Sequence, residues 1–427
     1  MSLKFLLSSM RYITDLHIHS KYSRACSKDL DLEGNTLWAA KKGIDIVGTG
    51  DFTHPAWFKE LQEKLVEQKS GLYSLKGANS KVLFMLTTEL SCIYSQGGKV
   101  RRIHLCIFVP DLPTVAKIIA SLEKRGVNLK ADGRPIMGLS AKELTKIVLD
   151  ANSDSLVIPA HIWTPWFSVF GSYSGFDTLE ECFGDQTKYI YGVETGLSSD
   201  PAMNWQLSAL DNLTLLSNSD AHSPRNLGRE ANVFEIPEKE LSYGEIRRII
   251  KDKDVERFAY TIEFYPEEGK YHADGHADCK INFSPAETKK RKGICPVCKK
   301  PLVIGVLNRV NQLADRKLGA NPKKIVPYKN VVPLQEIIAE VFGVGKGSKK
   351  VQAEYESLVA KGASEFGVLL DLSYEQLQSL TDPAVALAIN NVRQGQVEAT
   401  PGYDGVYGII KIFKDGQLVK PKQKSLL

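Results

Sequence analysis

Histidines and carboxylates recur at six places between residues 15 and 222: DLHIHS at 15–20, TGDFTH at 49–54, Glu89, His104, His161 and SDAH at 219–222. A fold that uses them together must bring side chains from across some two hundred residues to one point. In DLHIHS, Asp15, His17 and His19 alternate, so an extended chain points all three to one face, and two imidazoles can share one ion. One such pair is weak evidence, because a buried histidine bonded to backbone is the commoner outcome. Recurrence strengthens it. Residues 44–51, 82–89, 155–161, 190–194 and 213–220 are apolar or β-prone runs, and each ends in a carboxylate or a histidine. Buried parallel strands read this way, and an α/β barrel carries its chemistry at their C-terminal ends. Helical stretches alternate with them: 32–42 closed by Gly43, 57–68, 112–125 closed by Gly126, 140–152 and 201–210. Ser140 with Glu143 and Ser242 with Glu245 have capping-box spacing, and Pro201 after Asp200 suits a first helical turn. The pattern predicts one parallel α/β unit over 11–255. Residues 127–139, with Gly133, Pro135 and Gly138, read as an excursion, and 163–188 as a long aromatic loop.

Charge divides the chain. Residues 286–427 hold 22 Lys and Arg against 13 Asp and Glu, and the first 285 hold 33 against 37, so a net +5 hides an acidic first part and a basic last part. The first suits cations and the second a polyanion. The seven cysteines are scattered apart from one cluster, which does not read as a disulfide framework and points to a reducing compartment. MSLKFLLSS is too short for a signal peptide, and no apolar run approaches the roughly 20 residues of a membrane span. A soluble, cytoplasmic, monomeric protein without membrane contact is expected.

The cysteine cluster is specific. His276, Cys279, Cys295 and Cys298 are spaced as HxxC and CxxC, which suits a tetrahedral structural zinc in a module over 256–332; His272 is an alternative fourth ligand. Residues 333–427 read as a mainly helical basic domain that ends in a hairpin with turns at PGYDG and KDG. At its centre, FGVGKGSKKV puts glycines ahead of a lysine-bearing helix, so backbone N–H groups with Lys346, Lys349 and Lys350 could meet phosphate. The spacing is not that of a Walker A loop, which argues against an NTPase. Beyond His161 lie Trp163, Trp166 and Phe167, which are core residues unless the loop stacks them on a base.

The order HxH, Asp/His pair, Glu, His, His, Asp-x-His resembles the PHP (polymerase and histidinol phosphatase) superfamily. DLHIHSKYSRACSKDL, VGTGDFTHP, TGLSSDPAMNW, SNSDAHSPRNLG, KYHADGH, CPVCKKPL, EIIAEVFGVGKGSKKV and TPGYDGVYG are similar to the endonuclease Q family within it, over nearly the whole chain. The resemblance implies a distorted (β/α) barrel with up to three metals. One would lie on His17, His19, Asp220 and Glu89, a second on Glu89, His104 and His161, and a third on Asp51 or His54 with His222. Asp220, Glu89, His19 and His222 would be the catalytic core, and Glu194 would orient a ligand. Zn is expected structurally and in catalysis, with Mg or Mn as catalytic alternatives. The superfamily pattern often has a histidine or aspartate soon after HxH; here Ser23, Arg24 and Cys26 stand there, which weakens the third site. Lys21, Arg24 and Arg225 are candidate phosphate contacts. The implied activity is nicking of double- or single-stranded DNA 5′ to deaminated bases (uracil, hypoxanthine, xanthine) or abasic sites, with a replication clamp as a candidate further partner. The rival readings are a phosphatase of small phosphomonoesters and a noncatalytic DNA-binding protein.

Overall fold

The computed structural model describes residues 9–413 and shows a mixed α/β protein. Strand Ser9–Asp15 runs parallel to Ile46–Gly48, which runs parallel to Leu83–Gln96. The all-parallel expectation fails at the next step. Leu83–Gln96 turns back on itself through Gly97 and Gly98, both at positive φ, and pairs antiparallel with Lys99–Val109. Two consecutive left-handed residues make a tight hairpin turn whose twist matches the flanking strands. Lys99–Val109 then pairs antiparallel with Leu156–Pro159. Ile162 N–H donates to Glu194 O, which leads to Gly192–Glu194 and its parallel partner Thr214–Leu216. Beyond that strand Ala221 bridges Ile18, so the strands form an interrupted ring whose later turns converge on its start. Ala231–Pro237, antiparallel to Ser9–Asp15, carries the sheet outward to Phe258–Glu263 and Tyr328–Asn330.

Both faces of the ring strands are buried. Val47, Phe84, Ile107 and Val157 belong to one core and their chain neighbours Ile46, Met85, Phe108 and Ile158 to another, which explains the uninterrupted apolar runs. Caps fix the helices. Asp31 accepts from Gly34 N–H at the start of Leu32–Lys42, and Gly43 (φ 85°) closes it. Ser140 and Glu143 form a reciprocal capping box on Ala141–Ala151. Ser242 caps Tyr243–Asp252 alone, because the Glu245 carboxylate turns to Arg248 and Arg257. The helix expected over 57–68 is Pro55–Lys64, followed by strand Leu65–Lys69, and the one over 201–210 shrinks to Pro201–Asn204 and a short 3-10 turn.

A third core, with Leu334, Ile338, Val351, Tyr355, Leu358, Val385 and Ile389, unites the C-terminal helices. It docks on the first unit through a buried Lys42–Glu365 pair at 2.7 Å; Glu365 also accepts from Leu334 N–H and Tyr355 O–H. The hairpin pairs Glu398–Thr400 with Ile409–Lys411, while its expected KDG turn and the MSLKFLLSS start lie outside or at the edge of the described residues. No helix among the described residues is long and apolar enough to cross a membrane.

Glu230 and Glu263 flank the register pair Ala231–Ile262, and both are fully buried. Burial pushes Glu263 up to about 8, and burial with the nearby charges of Glu263 and Glu194 pushes Glu230 well above the carboxylate range. A folded pKa above the ordinary 4.5 means that this pair's contribution to stability is fully present below 4.5 and is lost as pH rises through about 8. Glu230→Gln should flatten that decline, measured as Tm from pH 5 to 8; an unchanged slope would show that Glu230 does not carry it.

Candidate metal centre and adjoining pocket

Glu89 is the hub, and it lies in the middle of Leu83–Gln96 rather than at a strand end. In the antiparallel register Glu89 opposes Cys106 and Ser91 opposes His104, so alternation puts all four on one face. His104 Nδ1 lies 2.6 Å from Glu89 Oε1, and His161 Nε2 lies 3.1 Å from the same oxygen. Glu89 Oε2 faces His19 Nε2 at 3.4 Å and His17 Nε2 at 3.6 Å. Asp220 Oδ1 stands 3.1 Å from His19 Nε2 and 3.7 Å from His17 Nε2. Two groups result, His17–His19–Glu89–Asp220 and Glu89–His104–His161, with the ligand atoms of each within 4.8 Å of one another. Asp51, His161 and Asp220 all hold positive φ, an unusual backbone state for non-glycine residues that surrounding contacts must maintain.

The electrostatics suit a cation. Burial works against charge on Glu89, yet His104, Arg134 and His17 hold it well below the usual carboxylate range. Asp220 is likewise opposed by burial and kept ionised by His17, by its hydrogen bond with His19 and by His222. Burial pushes His104 down to about 4, while against burial the facing carboxylates raise His17, His19 and His161, so the acidic groups draw positive charge into the centre. His17 Nε2 and His104 Nδ1 are buried without an aligned hydrogen bond, despite close carboxylate oxygens. Ligand atoms converging on one point, rather than on one another, leave such contacts, so the donor set fits a metal.

The residues behind the ligands explain their aim. His17 Nδ1 is held by both Glu194 oxygens at 3.0 Å, and Glu194 also accepts from His161 N–H and Asn218 Nδ2. His19 Nδ1 lies 3.1 Å from Asp51 Oδ1. Such partners fix ring orientation. Asp51 Oδ2 accepts from Ser20 N–H, Ser20 Oγ and Ser23 Oγ, so its carboxylate is consumed in holding His19. The expected third grouping is therefore not assembled among the described residues. His54 stacks on Tyr22, while His222 packs against His19 and turns Nδ1 to Asp220 O. Cys106 completes another cluster with His17 and Glu194, but burial pushes its thiol up and keeps the proton on. Asp15 faces away, accepting from Ser219 and Gly228 N–H.

A cavity of about 370 Å³ opens beside the centre, lined by His104, His161 and Asp220 and walled by Trp166, Phe167, Tyr271 and Tyr407, with Arg102 and Lys270. Trp166 stacks on Tyr173 at 4.9 Å and meets Tyr271 edge-on. Trp163, expected with them, is instead a core residue: it is 1% exposed and its Nε1 donates to Asn204 Oδ1 at 2.7 Å. Lys270, Tyr271 and Tyr407 carry no local signal in the sequence. Arg134, whose guanidinium lies 2.7 Å from Glu89 Oε2, was hidden in the excursion.

The expected basic contacts divide. Arg24 is 82% exposed beside Asp132, whereas Lys21 pairs with Glu60 and Arg225 lies over Trp38 and donates to Gln352. Gly343 ends Leu334–Phe342 and Ser348 caps Lys349–Lys361, so the glycine-rich stretch is a turn between two helices. Lys346 pairs with Glu336, Lys350 lies over Phe342 and Lys349 is exposed. In the cysteine module, His276, Cys279, Cys295 and Cys298 bring their ligand atoms within 4.8 Å. His272 turns instead to Ser198 O.

The model of the MJ0043 C-terminal domain family matches residues 333–396. MJ0043 itself, an uncharacterized protein of Methanocaldococcus jannaschii, is 35% identical over 253 residues, covering 58% of this chain, and the match spans 31% of MJ0043. YqxK, an uncharacterized protein of Bacillus subtilis, is 30% identical over 410 residues, 93% of this chain and 98% of YqxK. The crystal structure of the lesion-specific endonuclease PfuEndoQ from Pyrococcus furiosus superposes with a TM-score of 0.84 at 33% identity, covering 98% of both chains. A structure of endonuclease Q with a 27-mer duplex carrying an abasic lesion at the active site gives 0.85 at 34% identity, covering 98% of this chain and 100% of that one. Agreement from end to end, at an identity that fixes more than fold, places the chain in the endonuclease Q family.

Proposed function

We propose that the protein is a metal-dependent endonuclease that nicks DNA 5′ to deaminated bases or abasic sites. The observation that carries this reading is the pair of ligand groups sharing Glu89 at the wall of an aromatic cavity, in a chain that superposes end to end on a lesion-specific endonuclease. Two mixed histidine and carboxylate sets suit Zn, Mn or Fe and tolerate Mg, and the His–Cys₃ set suits structural zinc. Metals there would supply Lewis acidity toward the phosphodiester and a hydrolytic water that ionises near neutral pH. The chain does the rest. Glu194 and Asp51 hold His17 and His19 in place, Asp220 supplies a pocket-facing carboxylate, and the aromatic wall receives a base lifted from the stack. The direct test incubates the protein with labelled duplexes holding uracil, hypoxanthine, an abasic site or no lesion, with Mg or Mn. Lesion-dependent nicks are expected; equal cutting of the intact duplex would reduce the protein to a nonspecific nuclease.

If a base is extruded, uracil opposite guanine should be cut faster than uracil opposite adenine, because the weaker pair opens at less cost. Trp166→Ala should slow uracil cleavage by up to roughly 1 to 3 kcal/mol while sparing abasic sites, which lack the stacked base. Equal losses on both substrates would assign Trp166 to folding or to duplex wedging. The helical domain should contribute sequence-independent affinity. Lys349→Glu with Lys350→Glu should weaken binding to lesion and intact DNA alike and flatten the dependence of log K on log salt. Wild-type affinity and slope in that variant would make the glycine turn only a helix connection.

A further inference from the structure

The excursion over 127–139 returns to the mouth of the metal centre and is pinned there. Gly133 N–H donates to Tyr22 O, Asp132 Oδ1 accepts from Arg134 N–H, and Ile136–Met137 pairs with Ser91–Cys92, two residues beyond Glu89. Gly133 has no room for a side chain: a Cβ there would stand 2.3 Å from Asp51 Oδ2 and 2.4 Å from Ser23 Oγ. This close approach delivers the next residue, Arg134, into the centre. Its guanidinium NH1 lies 2.7 Å from Glu89 Oε2, and its side chain keeps 27% exposure.

We propose that Arg134 binds the non-bridging oxygens of the phosphate that is attacked, an inference that rests on the phosphodiester substrate proposed above. A mere counter-ion for Glu89 is the weaker explanation, because that carboxylate already faces four imidazoles. The charge balance points the same way. Glu89, Asp220, Glu194 and Asp51 offer four negative charges, which two divalent ions would match. With those charges matched by metal, the Arg134 guanidinium, whose remaining carboxylate neighbour Asp132 also faces Arg24, can turn to a singly charged phosphodiester. Guanidinium also presents a planar fork of donors that fits phosphate oxygens and does not lose its proton at working pH. A lysine there would keep the charge and lose the fork.

The test compares wild type, Arg134→Lys and Arg134→Ala as full chains loaded with Mn, reading metal content, affinity for inorganic phosphate by calorimetry, and kcat and KM on an abasic duplex. Arg134→Ala should keep its metals, bind phosphate at least about tenfold more weakly and lose roughly 10²- to 10³-fold in kcat, the scale for removing one donor to developing charge. KM should move little, and Arg134→Lys should recover part of both losses. Wild-type phosphate affinity and kcat in Arg134→Ala would overturn the proposal, and so would metal loss in proportion to activity, which would leave Arg134 a support for Glu89. If Arg134→Ala does not fold, Arg134→Gln is read by the same measures. A wild-type protein that cuts no DNA would defeat the endonuclease reading, and the phosphate titration would still decide the role of Arg134.

Discussion

Asp220→Ala is expected to lose nicking by about 10³-fold or more while DNA binding stays near wild type. Asp220 is the carboxylate of the first ligand group that reaches the cavity: its side chain is 29% exposed, and Oδ1 lies within 3.7 Å of both His17 and His19. Removing it takes one negative charge from a group that has only two and leaves the imidazoles without the neighbour that anchors a cation. Loss of Lewis-acid stabilisation is worth several kcal/mol, and each 1.36 kcal/mol is tenfold in rate. The lysines of the helical domain are untouched, so affinity should survive. Glu89→Gln should be at least as severe, because both groups share that residue. Single-turnover nicking of an abasic duplex, read with metal content and Tm, separates chemistry from folding. Near-normal nicking by Asp220→Ala would remove it from the reacting site.

His17, His19, His161 and Asp220 were legible because buried strands write themselves as apolar runs, and a polar residue that interrupts or ends one must have a use. Glu89 departs from that rule. The apolar run before it suggests a strand end, but strand Leu83–Gln96 continues through it, and the Gly97–Gly98 hairpin puts His104 on the same face. That turn was written in the sequence and outweighed the α/β pattern. Asp51 shows the opposite failure. Its spacing suits a ligand, yet three donors from Ser20 and Ser23 fill its second oxygen, a three-dimensional fact with no periodicity to betray it. The aromatic loop divided for a similar reason: Trp163 found a buried acceptor in Asn204, whereas Trp166 found Tyr173 at the cavity wall. Arg134, Tyr271 and Tyr407 come from segments that only the folded chain brings to the centre. No local pattern marks them.

Cys295→Ser should lower zinc content and Tm together, and it should reduce lesion cleavage without altering the metals of the main centre. Cys295 is fully buried among His276, Cys279 and Cys298, in a module whose strands Asp274–His276 and Ile281–Phe283 are three residues each. Elements so short cannot supply a core, and structural zinc in small peptides contributes an apparent 10 to 16 kcal/mol or so, an upper bound for a module braced by neighbours. The bracing also carries the functional consequence. Tyr173 O–H donates to Leu302 O and Ser172 Oγ to Ile304 O, each at 3.0 Å, and Arg309 Nε donates to Phe170 O. The aromatic loop is thus tied to the segment that follows Cys298, while Lys270 and Tyr271, a few residues ahead of His276, line the cavity. Loosening the tetrad should therefore soften the wall that holds Trp166 against Tyr173 and Tyr271, and uracil cleavage should fall further than abasic cleavage. Unchanged zinc stoichiometry and Tm in Cys295→Ser would exclude that thiol from the site. Equal losses on uracil and abasic duplexes would show that the module supports the centre as a whole rather than its aromatic wall.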